Sequence, residues 1–95
     1  MEPSANPIVL HNPAASRFEL EQEGHLVVLE YLLEKGKIVF THTGVPQELG
    51  GRGLGSLLAR AGLDLARSEG LKVVPLCSFI AGYIQKHPEY QDLIE

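Results

Sequence analysis

The sequence predicts an α+β domain with elements in the order β-β-β-α-β-α-α. Three observations carry that prediction. Between Ser16 and Thr43, apolar residues recur at strand spacing in three runs parted by short turns. From Leu54 the period changes to that of an amphipathic helix. One more short apolar run and further helical segments follow, so strands come first and most helices later, as in an α+β or mixed-sheet domain.

Residues 1–15 read as a flexible N-terminal segment and 16–95 as the domain. Pro3, Ser4, Asn6 and Pro7 offer nothing to pack, and Ile8-Val9-Leu10 makes a short pairing segment before the turn-rich His11-Asn12-Pro13. Phe18 and Leu20 then alternate with Arg17, Glu19 and Glu21, one face buried and one wet. After a turn at Gln22 to His25, the run Leu26 to Leu33 is β-branched and aromatic enough for a central strand. Its apolar residues fall on both faces, which predicts at least partial cover on both. A second turn at Glu34 to Lys37 leads into Ile38 to Thr43, completing an antiparallel meander.

The helix from Leu54 to Glu69 carries its stripe at Leu54, Leu57, Leu58, Ala61 and Leu65. Leu63 lies nearly opposite and is expected to be half covered or exposed. Gly70 suits a left-handed stop. Leu71 to Leu76 reads as a short buried strand ended by Pro75 and placed beyond the main helix. A second helix over Ser78 to Lys86 has Phe79, Ile80, Tyr83 and Ile84 as its inner side, and Pro88 opens a last short helix ending near Leu93-Ile94.

The bulk numbers exclude several classes. Ninety-five residues make one domain, and a chain of that size buries roughly 60–70% of its unfolded surface without staples. The net charge is -4 and the eight basic residues are dispersed, which argues against nucleic acid as a partner. No apolar run approaches the roughly 18 residues that span a bilayer. Met1 to Pro7 has no basic residue, so it is no signal or transit peptide. The single cysteine, Cys77, cannot form an internal disulfide, and a cytoplasmic protein without membrane partners is expected.

Val45 to Ser56 is the most informative stretch. It joins a strand to a helix and holds four glycines within six residues, Gly50, Gly51, Gly53 and Gly55. Glycines let backbone amides turn inward and let an anion approach closely, while the helix N-terminus adds unpaired N–H groups and a positive dipole end. The combination suits a pyrophosphate. A nucleotide P-loop would need Lys and Ser/Thr after the last glycine, but Ser56-Leu57 follows Gly55. The dinucleotide fingerprint would need glycine at Leu58. Neither fits, which leaves another phosphate ligand or a flexible turn and helix cap.

Here the loop resembles the acetyl-CoA-binding segment of the GCN5-related N-acetyltransferases, written R/Q-x-x-G-x-G/A. Gly53-Leu54-Gly55 match its glycine end, and Gly50 stands where Arg or Gln is usual. That departure removes a side chain near the pyrophosphate, for which Arg52 is a substitute. The similarity is closer to a small single-domain branch of the superfamily and covers residues 16 to 94. It runs through Arg17-Phe18-Glu19, Thr41-His42-Thr43-Gly44-Val45-Pro46, the glycine loop, Leu71 to Cys77, Tyr83 and His87-Pro88-Glu89-Tyr90. The resemblance implies a fourth strand splayed from the meander to admit pantetheine, and a broad, shallow acceptor site. It implies acetyl-CoA as acyl donor and an amine acceptor, small molecule or protein. The alternative is a CoA-binding or sensing module with little catalysis.

Transfer from a thioester to an amine requires a deprotonated amine, a donor for the oxyanion and a proton for the leaving thiolate. By resemblance Thr43, Gly44 and Val45 contribute backbone to the pantetheine and carbonyl. Gly50, Gly51, Arg52, Gly53, Leu54, Gly55 and Ser56 form the phosphate loop. Tyr83, six residues after Cys77, is the candidate general acid; its other reading is core packing. Cys77 sits where a strand ends and a helix begins, a place where a thiol pKa falls. It either meets the CoA sulfur, with or without accepting the acetyl group, or is a buried free cysteine. His42 is a candidate base, or a half-buried histidine in line with Ile38 and Phe40. His87 reads as a cap or loop residue. The four histidines and one cysteine lack metal-ligand spacing, so no metal is expected. Glu19, Glu21 and Glu23 form a solvated face that would also attract a cationic amine.

Overall fold

The computed structural model describes residues 7–95. Five strands form one sheet in the order β1-β2-β3-β4-β5: β1 Leu10–Asn12, β2 Arg17–Gln22, β3 His25–Glu34, β4 Lys37–Gly44 and β5 Lys72–Pro75. The first four pair antiparallel and β5 runs parallel to β4. Helix α1, Leu54–Glu69, links β4 to β5, and α2, Ser78–Lys86, follows β5. A 3-10 helix, Pro88–Leu93, comes next, and Ile94 bridges Val73 on the outer edge of β5.

The sheet starts earlier than the sequence suggests. Leu10, His11 and Asn12 pair with Glu19, Phe18 and Arg17, within the segment expected to stand outside the domain; residues 1–6 lie outside the described ones. What fixes this strand is an aromatic contact rather than an apolar run. His11 stacks on Phe18 with ring centroids 4.4 Å apart, and its Nε2 lies 2.5 Å from the Tyr31 hydroxyl. The turn falls after it, in the 3-10 helix Pro13–Ala15. The β2–β3 turn has both central residues left-handed, Glu23 at φ 53° and Gly24 at φ 78°, matching the twist of a two-residue hairpin.

Both α-helices and the C-terminal 3-10 helix share one hydrophobic cluster with Phe18, Leu20, Val27, Leu29, Tyr31, Ile38, Phe40 and Val73, so they cover one face of the sheet. The other face is largely open. Leu26 and Leu32 are exposed and Val28 is half-buried, with Val39 the buried exception. Cover on both faces of β3, expected from its apolar run, is therefore corrected.

The buried side of α1 is also rotated from the expected stripe. It consists of Leu54, Gly55, Leu58, Ala59, Gly62, Leu63 and Ala66. Leu57 is exposed, and Ala61 and Leu65 are only half-buried. Leu63, expected to be half covered or exposed, has 0% exposure. Small residues explain the rotation, because they let the helix axis approach the sheet. A Cβ added at Gly62 would lie 2.9 Å from the Phe40 ring and 3.1 Å from Leu29. Gly70 stops the helix at φ 69° with its N–H bonded to the Ala66 and Arg67 carbonyls, as expected.

Candidate functional site

The site begins where β4 and β5 part. β5 pairs with β4 through Phe40↔Pro75, and the Cys77 amide donates to the Phe40 carbonyl at 2.9 Å. Beyond that point Thr41–Gly44 have no β5 partner but stay on the sheet through β3. The register shifts between Glu30, opposite His42, and Tyr31, opposite Phe40, so Thr41 is an extra residue. Such a bulge bends the strand and resets its alternation.

That reset decides which of two neighbours faces the helices. Thr43, opposite Leu29, faces the helices, and its hydroxyl lies 3.1 Å from Cys77 Sγ. His42 is exposed and faces the other side with Gly44, where an added Cβ would meet His42 Nε2 at 3.3 Å. A half-buried histidine in line with Ile38 and Phe40 requires unbroken alternation, and the bulge corrects that expectation.

Cys77 stands at the N-cap of α2, with its side chain beside the first turn of that helix. Burial by itself pushes its thiol up. The Thr43 side chain and the backbone of Ile80, Phe79 and Thr43 outweigh that and hold the thiol below its ordinary value. A thiol more acidic than usual thus stands at the mouth of the splay.

The glycine loop forms an adjoining cavity of about 260 Å³ lined by Val45, Leu49, the whole loop at residues 50–56, and Phe79. Gly51 and Gly53 adopt φ 81° and 75°, which L side chains rarely take. Gly53 caps α1 with no side chain over its amides and no acidic residue in the first turn. The amides and dipole are thus left uncompensated, an anion-binding arrangement. Arg52, the expected substitute at the pyrophosphate, is paired instead with Glu23 of the β2–β3 turn.

A second cavity of about 300 Å³ shares Ser56 and Phe79 with the first and continues along α2 past Ser78, Gly82, Tyr83, Lys86 and His87. Phe79, expected inside, is 41% exposed. Gly55 leaves only 3.0 Å between an added Cβ and its ring, and Ile80 and Ile84 take the buried side. Tyr83 stacks on His87 with centroids 3.9 Å apart, and His87 Nδ1 donates to the Tyr83 carbonyl at 2.8 Å. Burial pushes the Tyr83 phenol above its ordinary value; Arg60 opposes this and Glu89 and Asp64 add to it. The fold therefore joins Thr43 to Cys77 and Val45 to the glycine loop, and sets Tyr83 farther along α2 against His87. Sequence reasoning missed Ser78, Phe79 and Lys86 as lining residues. The recurrence of aromatic rings at 79, 83 and 87 was a signal for Phe79, and Ser78 and Lys86 carried none.

Comparison with known proteins identifies the family of the domain that carries this site. The family model for the GCN5-related N-acetyl-transferases matches residues 17–93. Protein NATD1 of Xenopus tropicalis is 31% identical over 91 residues, covering 93% of this chain and 84% of that protein. Protein NATD1 of Mus musculus is 31% identical over 83 residues, covering 84% and 76%. The solution NMR structure of a GCN5-like putative N-acetyltransferase from Staphylococcus aureus superimposes with a TM-score of 0.74 at 30% identity, covering 97% of this chain and 91% of that one.

Proposed function

Because this chain belongs to the GCN5-related N-acetyl-transferase family, we propose that it moves an acetyl group from acetyl-CoA to an amine. The observation that carries the reading is the contact between the glycine cavity and the splay. Val45 lines the cavity two residues after Thr43, and Phe79 lines it two residues after Cys77. A pyrophosphate on the amides of Gly53 to Ser56 directs pantetheine along Thr43, Gly44 and Val45, with its thioester at the Thr43–Cys77 pair.

In this reading the amine nitrogen attacks the thioester carbonyl, the C–N bond forms and the C–S bond breaks. The amine loses one proton and the departing CoA thiolate takes one. Backbone amides where β4 leaves β5 suit the oxyanion, and Cys77, with its lowered pKa, suits proton exchange with the leaving sulfur. Tyr83 keeps its proton at neutral pH, so it is a hydroxyl donor to whichever part of the bound thioester enters its groove. His42, across the sheet, is a base for an amine arriving from the open face. Among the described residues no helix is long and apolar enough to cross a membrane. The open face next to the splay leaves room for a small amine or a protein side chain.

One observation favours the second reading, binding with little turnover: Arg52 is engaged by Glu23 and Gly50 supplies no side chain, so phosphate recognition rests on backbone. Steady-state assay of Cys77→Ala separates the readings. Transfer should fall at least about tenfold while acetyl-CoA affinity changes less than about twofold, as for a group that acts in the transition state. Equal rates in the variant would reduce Cys77 to packing, and no transfer to any amine by the parent protein would leave the binding module.

A further inference from the structure

We propose that Glu23, in the β2–β3 turn, is an internal competitor of the donor's pyrophosphate: its carboxylate holds the Arg52 guanidinium, which an incoming phosphate must take from it. The proposal rests on the thioester reading above. It assigns this chain a built-in restraint on donor binding, carried by a residue outside the cavity that receives the donor.

Arg52 stands between two anions. It belongs to the lining of the glycine cavity, and the glycines on either side of it, Gly51 and Gly53, adopt φ 81° and 75°. Glycines give the backbone there the freedom to redirect the side chain between them. The guanidinium is nevertheless paired with Glu23, which lies 29 residues earlier and is not part of that lining. A guanidinium offers the same planar fork of N–H donors to a carboxylate and to a phosphate. The Glu23 pair and a phosphate contact therefore draw on one group.

The turn itself gives no reason for a glutamate at this place. Glu23 adopts φ 53°, and Ser16 is the only other non-glycine at positive φ among the described residues. That region is disfavoured by a Cβ, and the first position of such a hairpin turn favours Asn, Asp or Gly. From this unfavourable backbone the carboxylate reaches the glycine loop, so the strained residue and the loop's one arginine meet.

The contact is also exchangeable. The two side chains keep 43% and 56% of their exposure, so water and salt weaken the pair, and it adds little to the fold. A donor arriving at the loop finds Arg52 free in only a fraction of chains. Its apparent affinity is lowered by that fraction.

Calorimetric titration with CoA at low ionic strength tests the competition in the full chain. The proteins are the parent, Glu23→Gln, Glu23→Asn, Arg52→Ala and the double variant Glu23→Gln/Arg52→Ala. Glu23→Asn suits the backbone of the turn, so it guards against a disturbed hairpin. Both Glu23 variants should bind CoA about two- to fivefold more tightly than the parent, the size of one exposed ion pair. On the Arg52→Ala background, Glu23→Gln should leave the affinity unchanged, because the contested side chain is gone. Unchanged or weaker binding by the Glu23 variants would overturn the competition. Equal tightening with and without Arg52 would overturn it as well, since Glu23 would then act through its charge alone. Either result leaves CoA binding in place. Absence of binding by the parent and every variant would instead bring down the thioester reading, and this proposal with it.

Discussion

The Cys77 thiol is where local geometry and chemistry meet most closely. Burial disfavours its thiolate, yet the Thr43 hydroxyl and the first amides of α2 win, and the net shift is downward. The sign follows directly: a thiol whose pKa is depressed from about 8.5 ionises at lower pH than a free cysteine. Alkylation rates followed against pH should rise with a midpoint below that of a free thiol. In Thr43→Val the midpoint should move up, since one stabilising bond is gone. An unshifted midpoint in that variant would mean that Thr43 does not tune the thiol. At this scale the sequence is informative about identity but not neighbours. Cys77 is legible as a strand-to-helix thiol, whereas its contact with Thr43 depends on the bulge at Thr41, which no spacing of residues reveals. The same bulge sends His42 to the opposite face. Lys86 carries no signal of its own, because a single exposed lysine near a helix end looks like any other.

The elements show why a helix face must be read by its small residues as well as its large ones. The period and Gly70 both mark α1, which runs from Leu54 to Glu69 as the sequence predicts. Its orientation does not follow from the leucines. Gly55, Ala59, Gly62 and Ala66 form the buried side, with Gly62 set against Phe40 and Leu29 of the sheet, and they bring Leu63 in with them. Gly62→Ala tests this directly, since its Cβ would fall within 2.9 Å of Phe40. Although alanine favours a helix by about 1 kcal/mol over glycine, the clash should dominate and leave a net loss of about 1–2 kcal/mol in chemical denaturation. A gain in stability would show that α1 can ride outward without cost. The gap between β4 and β5 also belongs to this scale. It arises because α1 returns the chain parallel to β4 only as far as Phe40 and Pro75, and the bulge then turns β4 away.

Over the whole molecule, both α-helices lie on one face of a single sheet and their N-termini come to one end of it. Gly55 of α1 meets Phe79 of α2, while farther along Tyr90 donates to Asp64 at 2.7 Å. The glycine loop, the splay and the α2 cavity therefore adjoin one another. The α+β class and the meander are legible because their signals are local: alternation, two short turns and one change of period. The join of the two cavities is not, since it depends on how closely α1 and α2 approach. The open face of β3 escapes for the same reason, as a run of apolar residues does not say whether a partner element exists to cover it. On this account the glycine loop binds the pyrophosphate of a CoA thioester. Calorimetric titration with acetyl-CoA, CoA and ATP tests it most directly, in the parent protein and in Gly53→Val, where a β-branched side chain cannot take φ 75°. Saturable one-site binding of both CoA species but not ATP, lost in the folded variant, is the expected result. No binding of either CoA species by the folded parent, or unchanged affinity in Gly53→Val, would contradict it.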